Sequence, residues 1–408
     1  MTSLQDRLRD LGVQVGTSHI PPNQKTDRSH EKLVDVLPGS WEETPAGECF
    51  VIRKDFPLDT QHGCRSLYSE PSPKILESQF QLDGLSKLPL SNYLFIDTET
   101  TGLAGGTGTY VFLIGAAKII DDRIHFAQFF LQDPEAESAQ LAALENYASS
   151  SNVIISYNGK SFDLPRIRTR YNLHGWPDPF SDIYHLDLLH IARRLWKDSL
   201  PSCTLGDLEY HLLKLERDEL DIPGWKVAEY FFSYLQDGDP YPLKHILYHN
   251  EIDVLSLVSL LGYISERLSF PLDAQYASRS DLIPVGKFLA SSGETQKAIE
   301  VLSHALHKAD LSQEQRIQGC LELASIHKRN DFLAEALPLW EESAQIGSLA
   351  AKIELAKFYE HQQNDYAEAI HWTLSALEGI PPAASEKDAL LRSDLEHRLN
   401  RLKKKAKR

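Results

Sequence analysis

The stretch YLFIDTETTGL (93–103) constrains this chain more tightly than any other. Its apolar run predicts a short buried strand, with Asp97 and Glu99 at the exit. Side chains two apart on a strand point to the same face. Both carboxylates therefore arrive together where the strand leaves the core. Hard oxygen ligands placed this way suit Mg2+ or Mn2+. Two solvated acids at a strand end would produce the same local pattern, so the surrounding elements have to decide.

Those elements alternate in type. YVFLIGAAKII and IHFAQFFLQ predict two more strands, with Asp121-Asp122 as the turn between them. ESAQLAALENYASS (137–150) has helical period, NVIISYN (152–158) is another buried strand, and helices follow to about residue 266. A meander, a helix and a returning strand open a ribonuclease H-like α/β fold. Residues 1–90 predict a partly irregular N-terminal segment: a short helix from Leu4 to Leu11, loop or linker over 18–47, a strand near 49–59 and a turn at His62-Gly63. Beyond residue 275 no strand pattern survives. SSGETQKAIEVL, KRNDFLAEALPLW and QQNDYAEAIHWTL repeat a turn followed by a helix, with Ala298, Ala336 and Ala369 spaced 38 and 33 residues apart. That is close to the period of tetratricopeptide-type helix pairs, whose small residues permit close packing. The expected domains are 91–270 for the α/β unit, 275–380 for the helical repeats, and 385–408 for a C-terminal helix ending in the basic KKKAKR.

The whole-chain charge narrows the function. A formal net charge of −16 argues against a protein that grips nucleic acid over its entire surface, while leaving room for a local groove. The same excess fits a carboxylate-rich site neutralised by bound metal. Cys49, Cys64, Cys203 and Cys320 lie far apart with no paired metal-ligand spacing, as expected of reduced, mostly structural thiols in a cytoplasmic protein. No window approaches 18 uninterrupted apolar residues, so no membrane span is expected.

Two further acids fall at telling places. Asp163 in YNGKSFDLPRI follows the second buried strand, where aspartate also serves as a helix N-cap. Asp253 lies in the helical run LKHILYHNEIDVLSLVSLL, and a helix packed on the strands would carry it toward Asp97 and Glu99. The order D-x-E, N-G-K-x-F-D, H-N-x-x-D resembles the DEDD superfamily of 3′–5′ exonucleases on the ribonuclease H-like fold. More closely, DTETTGLAGGTGTYVFLIG, HLDLLHIARRLWK, HNEIDVLSL and the repeat-bearing tail are similar to the bacterial YprB-like family, over nearly the whole chain. The resemblance implies a metal-dependent 3′–5′ exonuclease acting on nucleic-acid ends. Asp97, Glu99, Asp163 and Asp253 would hold two divalent cations, and a general base would deprotonate the attacking water.

Tyr248 and His249 compete for that role. On a helix, residues four apart are separated by about 40° of arc and residues five apart by about 140°. His249 precedes Asp253 by four and Tyr248 by five, so geometry favours His249. Its ordinary pKa near 6.5 also suits a base at neutral pH, whereas that of tyrosine, near 10, does not. The superfamily places a histidine base five residues before the last aspartate and a tyrosine base four before. This sequence reverses the two.

Other candidates are Asp187, as a residue behind the site or a helix start, and Lys160, Arg166 and Arg170 as phosphate contacts or a solvated face. GLAGGTGTY runs into a strand rather than a helix, so it predicts a turn or lid beside the metals more than a phosphate loop. His304, His307, His327, His361 and His371 show no recurring metal-ligand spacing, and Trp340 and Trp372 are expected to pack. The competing function class is a non-catalytic adaptor that binds a nucleic-acid end or a protein partner through its repeats. DNA against RNA stays open, because discrimination rests on contacts to the 2′-OH.

Overall fold

In the computed structural model of the protein, residues 30–71, 73–80, 82–102, 107–275, 281–308, 311–380 and 385–407 are described. The Leu4–Leu11 helix and residues 103–106 of the glycine-rich stretch lie outside them.

One seven-stranded sheet organises the first two-thirds of the chain. Its strands are β1 (Gly39–Thr44), β2 (Gly47–Pro57), β5 (Tyr93–Thr100), β6 (Val111–Ile120), β7 (Arg123–Phe130), β8 (Val153–Ser156) and β9 (Tyr184–Asp187), in the order β1-β2-β7-β6-β5-β8-β9. The β5–β8 and β8–β9 pairs are parallel and the rest antiparallel. A small hairpin, β3 (Gln61–His62) and β4 (Arg65–Ser66), stands apart, and helix α2 (Pro73–Phe80) follows it. The meander and the returning strand lie as expected. Three elements differ. Residues 30–44, expected to loop, form helix α1 (His30–Val36) and edge strand β1, and β2 belongs to the main sheet, so the α/β unit begins well before residue 91. YHLD, expected to be helical, is strand β9 because parallel pairing with β8 is available to it.

Period-two alternation divides the sheet's faces. Leu94 and Ile96 pack with Ala143, Leu144 and Ile167 of helices α3 (Glu137–Ala148) and α4 (Asp163–Leu173). Tyr93 and Phe95 face the other way, onto the core shared with helix α5 (Leu188–Trp196) and the later helices. A short helix, α6 (Leu205–Leu208), runs into a π-helical turn (Glu209–Leu213). Helix α7 (Gly224–Asp237) then leads to α8 (Leu243–Ser269), which crosses β5 and β6 on that second face. At 27 residues α8 is about 40 Å long, and Ser256, Ser259, Gly262 and Ser265 let it sit deep in the molecule.

An all-helical region follows: α9 (Leu282–Ser291), α10 (Thr295–Leu306), α11 (Gln313–Arg329), α12 (Leu333–Gln345), α13 (Leu349–Phe358), α14 (Tyr366–Glu378) and α15 (Glu386–Lys405). Ala298, Ala336 and Ala369 are fully buried, as close helix packing requires. Trp340 is buried and Trp372 packs partly against the same cluster. This region is joined to the sheet without a break in the core, since α9 packs on α5. Asp281 at the joint accepts from Trp196 Nε1 at 2.7 Å and from Arg267 Nη2 at 2.6 Å. The basic tail is partly turned inward: buried Glu360 takes Arg398, Arg401 and Lys405, leaving Lys403 and Lys404 exposed.

Candidate active site

Asp97 and Glu99 continue the row begun by Tyr93 and Phe95 and so face α8. A register shift between Glu99 and Thr100 marks a bulge at this end of β5, a device that re-aims side chains beside sites. Across the sheet, Asp97 pairs with Gly115 on β6, and Gly115 with Gln128 on β7. Asn250 of α8 lies over Gly115, where an added Cβ would sit 2.1 Å from its Oδ1. Gln128 Nε2 donates to Asn250 Oδ1 at 2.9 Å, and Asn250 Nδ2 donates to Asp97 Oδ2 at 2.9 Å. One buried amide thus orients another, which holds the first carboxylate.

Asp163 arrives from the opposite face. Thr98, alternating with its two acidic neighbours, donates its hydroxyl to Asp163 Oδ1. Asp163 opens α4 after a tight turn with Asn158 in the left-handed region, φ 64°, where asparagine is tolerated. Gly159 follows it where a Cβ would lie 2.3 Å from Ser156 Oγ and 3.2 Å from Asp163 Oδ2. Asp187 holds the turn. Its carboxylate accepts the backbone N–H of Asn158 at 2.7 Å and of Lys160 at 3.1 Å, and caps α5 through Leu189 N–H at 3.1 Å. It faces the backbone rather than a ligand.

Asp253 completes the set from α8. Burial raises the pKa of all four carboxylates. Asp97 and Glu99 are lifted well above the usual range, first by burial and then by the charges of Asp253 and Asp163. Asp163 is pushed up to about 6 by burial, with the Thr98 bond and the Arg166 charge opposing. Asp253 is raised by burial against the pull of Arg217 and His249. Four buried acids, two of them raised further by the charges of the other two, form a deficit of positive charge, which suits a hard divalent cation. Among the described residues no three His, Cys, Asp or Glu side chains come together as a ready-made metal cage. Three of the acids are instead engaged locally, Asp97 by Asn250, Asp163 by Thr98 and Asp253 by Arg217.

His249 and Tyr248 separate as helix geometry predicts. His249 Nε2 lies 3.7 Å from Asp253 Oδ2 and 4.0 Å from Glu99 Oε1, while Nδ1 lies 2.7 Å from Asp221 Oδ1. A proton on Nδ1, donated to Asp221, leaves the Nε2 lone pair facing the acids. The Tyr248 hydroxyl instead accepts the Asp218 N–H at 3.4 Å on another side of the helix.

The three basic candidates part company. Arg170 is not a phosphate contact: it is 4% exposed, its guanidinium grips Glu137 on α3, and Nη1 donates to Thr107 O at 2.8 Å. Arg166 is buried over the Phe162 ring. Lys160 stands exposed on the turn before Asp163. Sequence reasoning missed Asp221, Arg217, Glu209, Asn250 and Gln128. Asn250 alone carried a signal, as a polar residue one turn before Asp253 on the buried side of α8.

A mixed seven-stranded sheet flanked by helices defines a ribonuclease H-like α/β domain followed by an all-helical region. The RNase H superfamily profile matches residues 94–265. The chain is also 33% identical over 372 residues to the uncharacterized protein YprB of Bacillus subtilis (strain 168), spanning 88% of this chain and 86% of that one. It belongs to the YprB family of RNase H-like proteins.

Proposed function

We propose that this protein is a metal-dependent 3′–5′ exonuclease that hydrolyses phosphodiester bonds at single-stranded nucleic-acid ends. The observation that supports this reading is His249 Nε2 at 3.7 Å from Asp253 Oδ2 and 4.0 Å from Glu99 Oε1, beside buried Asp97 and Asp163 whose charges act within the same group of acids. The four acids would hold two divalent ions, Mg2+ or Mn2+, which when bound lower the pKa of the attacking water and stabilise the leaving oxygen.

The chain's own residues do the rest. His249 Nε2 takes the proton of the water, and Asp221 at Nδ1 fixes the required tautomer and stabilises the imidazolium that forms. Asn250 and Thr98 hold two of the carboxylates in place. Lys160 is the basic candidate best exposed for a backbone phosphate. The buried alanines support a tetratricopeptide-like reading of the helical region, which would then support the substrate or recruit a protein partner. The four free cysteines support a cytoplasmic location, and no helix among the described residues is long and apolar enough to cross a membrane.

The test is cleavage of single-stranded DNA and RNA by wild type, Asp97→Ala and His249→Ala. Asp97→Ala is expected to fold and to abolish hydrolysis; retained activity would sink the site assignment. Absence of cleavage in the wild type would favour the adaptor class.

A further inference from the structure

The residue that ties Asp253 and His249 to a buried anchor is one the motifs do not contain. Arg217 lies between the π-helical turn and α7, 15% exposed at its side chain. Its Nε and Nη2 reach Glu209 Oε2 and Oε1, each at 2.8 Å, and Glu209 is 1% exposed. Nη2 also donates to Asp253 Oδ1, and Nη1 lies 3.4 Å from Asp221 Oδ1 and 3.2 Å from His249 Nδ1. One planar fork therefore joins a buried anchor, the last carboxylate of the set and the partner of the base.

The anchor itself is braced. Lys214 ends the π-helical turn at φ 54°, and Leu215 N–H returns to Glu209 O at 3.0 Å, which folds the chain back over Glu209. The β3–β4 hairpin backs the turn, with Cys64 N–H on Leu213 O at 2.7 Å. Gly63, at φ 67°, comes so close that a Cβ would meet Leu213 O at 2.2 Å. His62 next to it is bonded to Ser256 of α8 at 2.8 Å. Burial works against the charge of Arg217, but the bond to Glu209 and the charge of Asp253 outweigh it and keep the guanidinium protonated.

Resting on the metal-centre reading above, we propose that Arg217 is the resident cation of the site, a positioning residue with two opposed effects. It holds Asp253, Asp221 and His249 in register for turnover. It also competes, through its own charge at Asp253, with the divalent ion that the same carboxylate would take. A residue that only stabilised the fold would move metal affinity and turnover downward together. Arg217 predicts that they move in opposite directions.

The experiment uses the full chain and the double variant Arg217→Gln/Glu209→Gln, which removes the buried pair without leaving one charge behind. Mn2+ alone is titrated calorimetrically into each, and turnover on single-stranded DNA is measured at saturating Mn2+. The expected result is Mn2+ binding about tenfold tighter, with turnover about tenfold or more lower. Affinity unchanged or weakened in a folded variant overturns the inference and leaves the metal centre standing. No binding in wild type or variant overturns both, while binding in the variant alone supports Arg217 as the competitor. Should the double variant fail to fold, Arg217→Lys decides. It keeps the charge but not the fork, so Mn2+ affinity should stay within about twofold while turnover falls; wild-type turnover overturns the proposal.

Discussion

His249 Nε2 lies 3.7 Å from Asp253 and 4.0 Å from Glu99, whereas the Tyr248 hydroxyl points to the Asp218 backbone. His249→Ala should therefore lower kcat by about 10²–10⁴-fold, the usual contribution of a positioned base, and Tyr248→Phe should leave it nearly unchanged. The reverse order in steady-state kinetics would reassign the base. The raised carboxylates carry a second prediction, with a definite sign. In chelator, the folded protein keeps protons on Asp97, Glu99 and Asp163 that the unfolded chain releases. Their stabilising contribution is fully present below the ordinary aspartate pKa of 3.8 and is lost as pH rises through about 6, where Asp163 ionises. It falls further as Asp97 and Glu99 follow. Melting points in chelator should thus decline as pH rises from about 4 through about 6 and beyond, and Asp97→Asn should flatten that decline. A midpoint climbing with pH in wild type would contradict the electrostatic picture. At this scale the shared face of Asp97 and Glu99 was legible from strand alternation, and the nearness of His249 to Asp253 from helix arc, while Asp163 needed the order of the motifs. Arg217 and Asp221 were not, because they sit in a loop whose path is set by the β3–β4 hairpin and the buried Glu209, neither of which has a local signature.

Gly115 sets how closely α8 approaches the sheet. With a Cβ 2.1 Å from Asn250 Oδ1, Gly115→Ala must push α8 away or displace the amide from Asp97. A loss of about 1–3 kcal/mol in denaturant unfolding is expected, with weakened catalysis beyond it. A variant as stable and as active as wild type would remove Asn250 from the site. The long apolar runs of β5 to β8 announced themselves by hydrophobicity. β1 and β9 did not, each for its own reason. GSWEET is a polar edge strand that depends on pairing with β2. YHLD is four residues running straight into α5, and only parallel pairing with β8 makes it a strand. Local pattern cannot report a partner that is distant in sequence.

The sheet domain and the helical region share one core at the scale of the whole molecule, and Asp281 is where they lock. Arg267 is fully buried and its guanidinium is satisfied by Asp281 and by Pro271 O. Asp281→Ala leaves that charge without its anion and should cost about 3–5 kcal/mol. Thermal unfolding then ought to show the loss across both regions together; loss confined to the helical region would mean they fold independently. The loss of strand pattern beyond residue 275 announced two architectures, and the spaced alanines announced the second, but the seam was not legible because it is built from Trp196, Arg267 and Asp281, far apart in the chain. The central claim is that the carboxylates at the end of β5 cut nucleic acid with divalent ions. It is tested most directly with end-labelled single-stranded DNA and RNA of matched sequence, with Mn2+, with Mg2+ and with chelator, against wild type and Asp97→Ala. A metal-dependent ladder shortening from the 3′ end, absent in chelator and in Asp97→Ala, is the predicted result, and the substrate that yields it identifies the sugar. Cleavage that persists in Asp97→Ala, or that ignores the metal, would contradict the account.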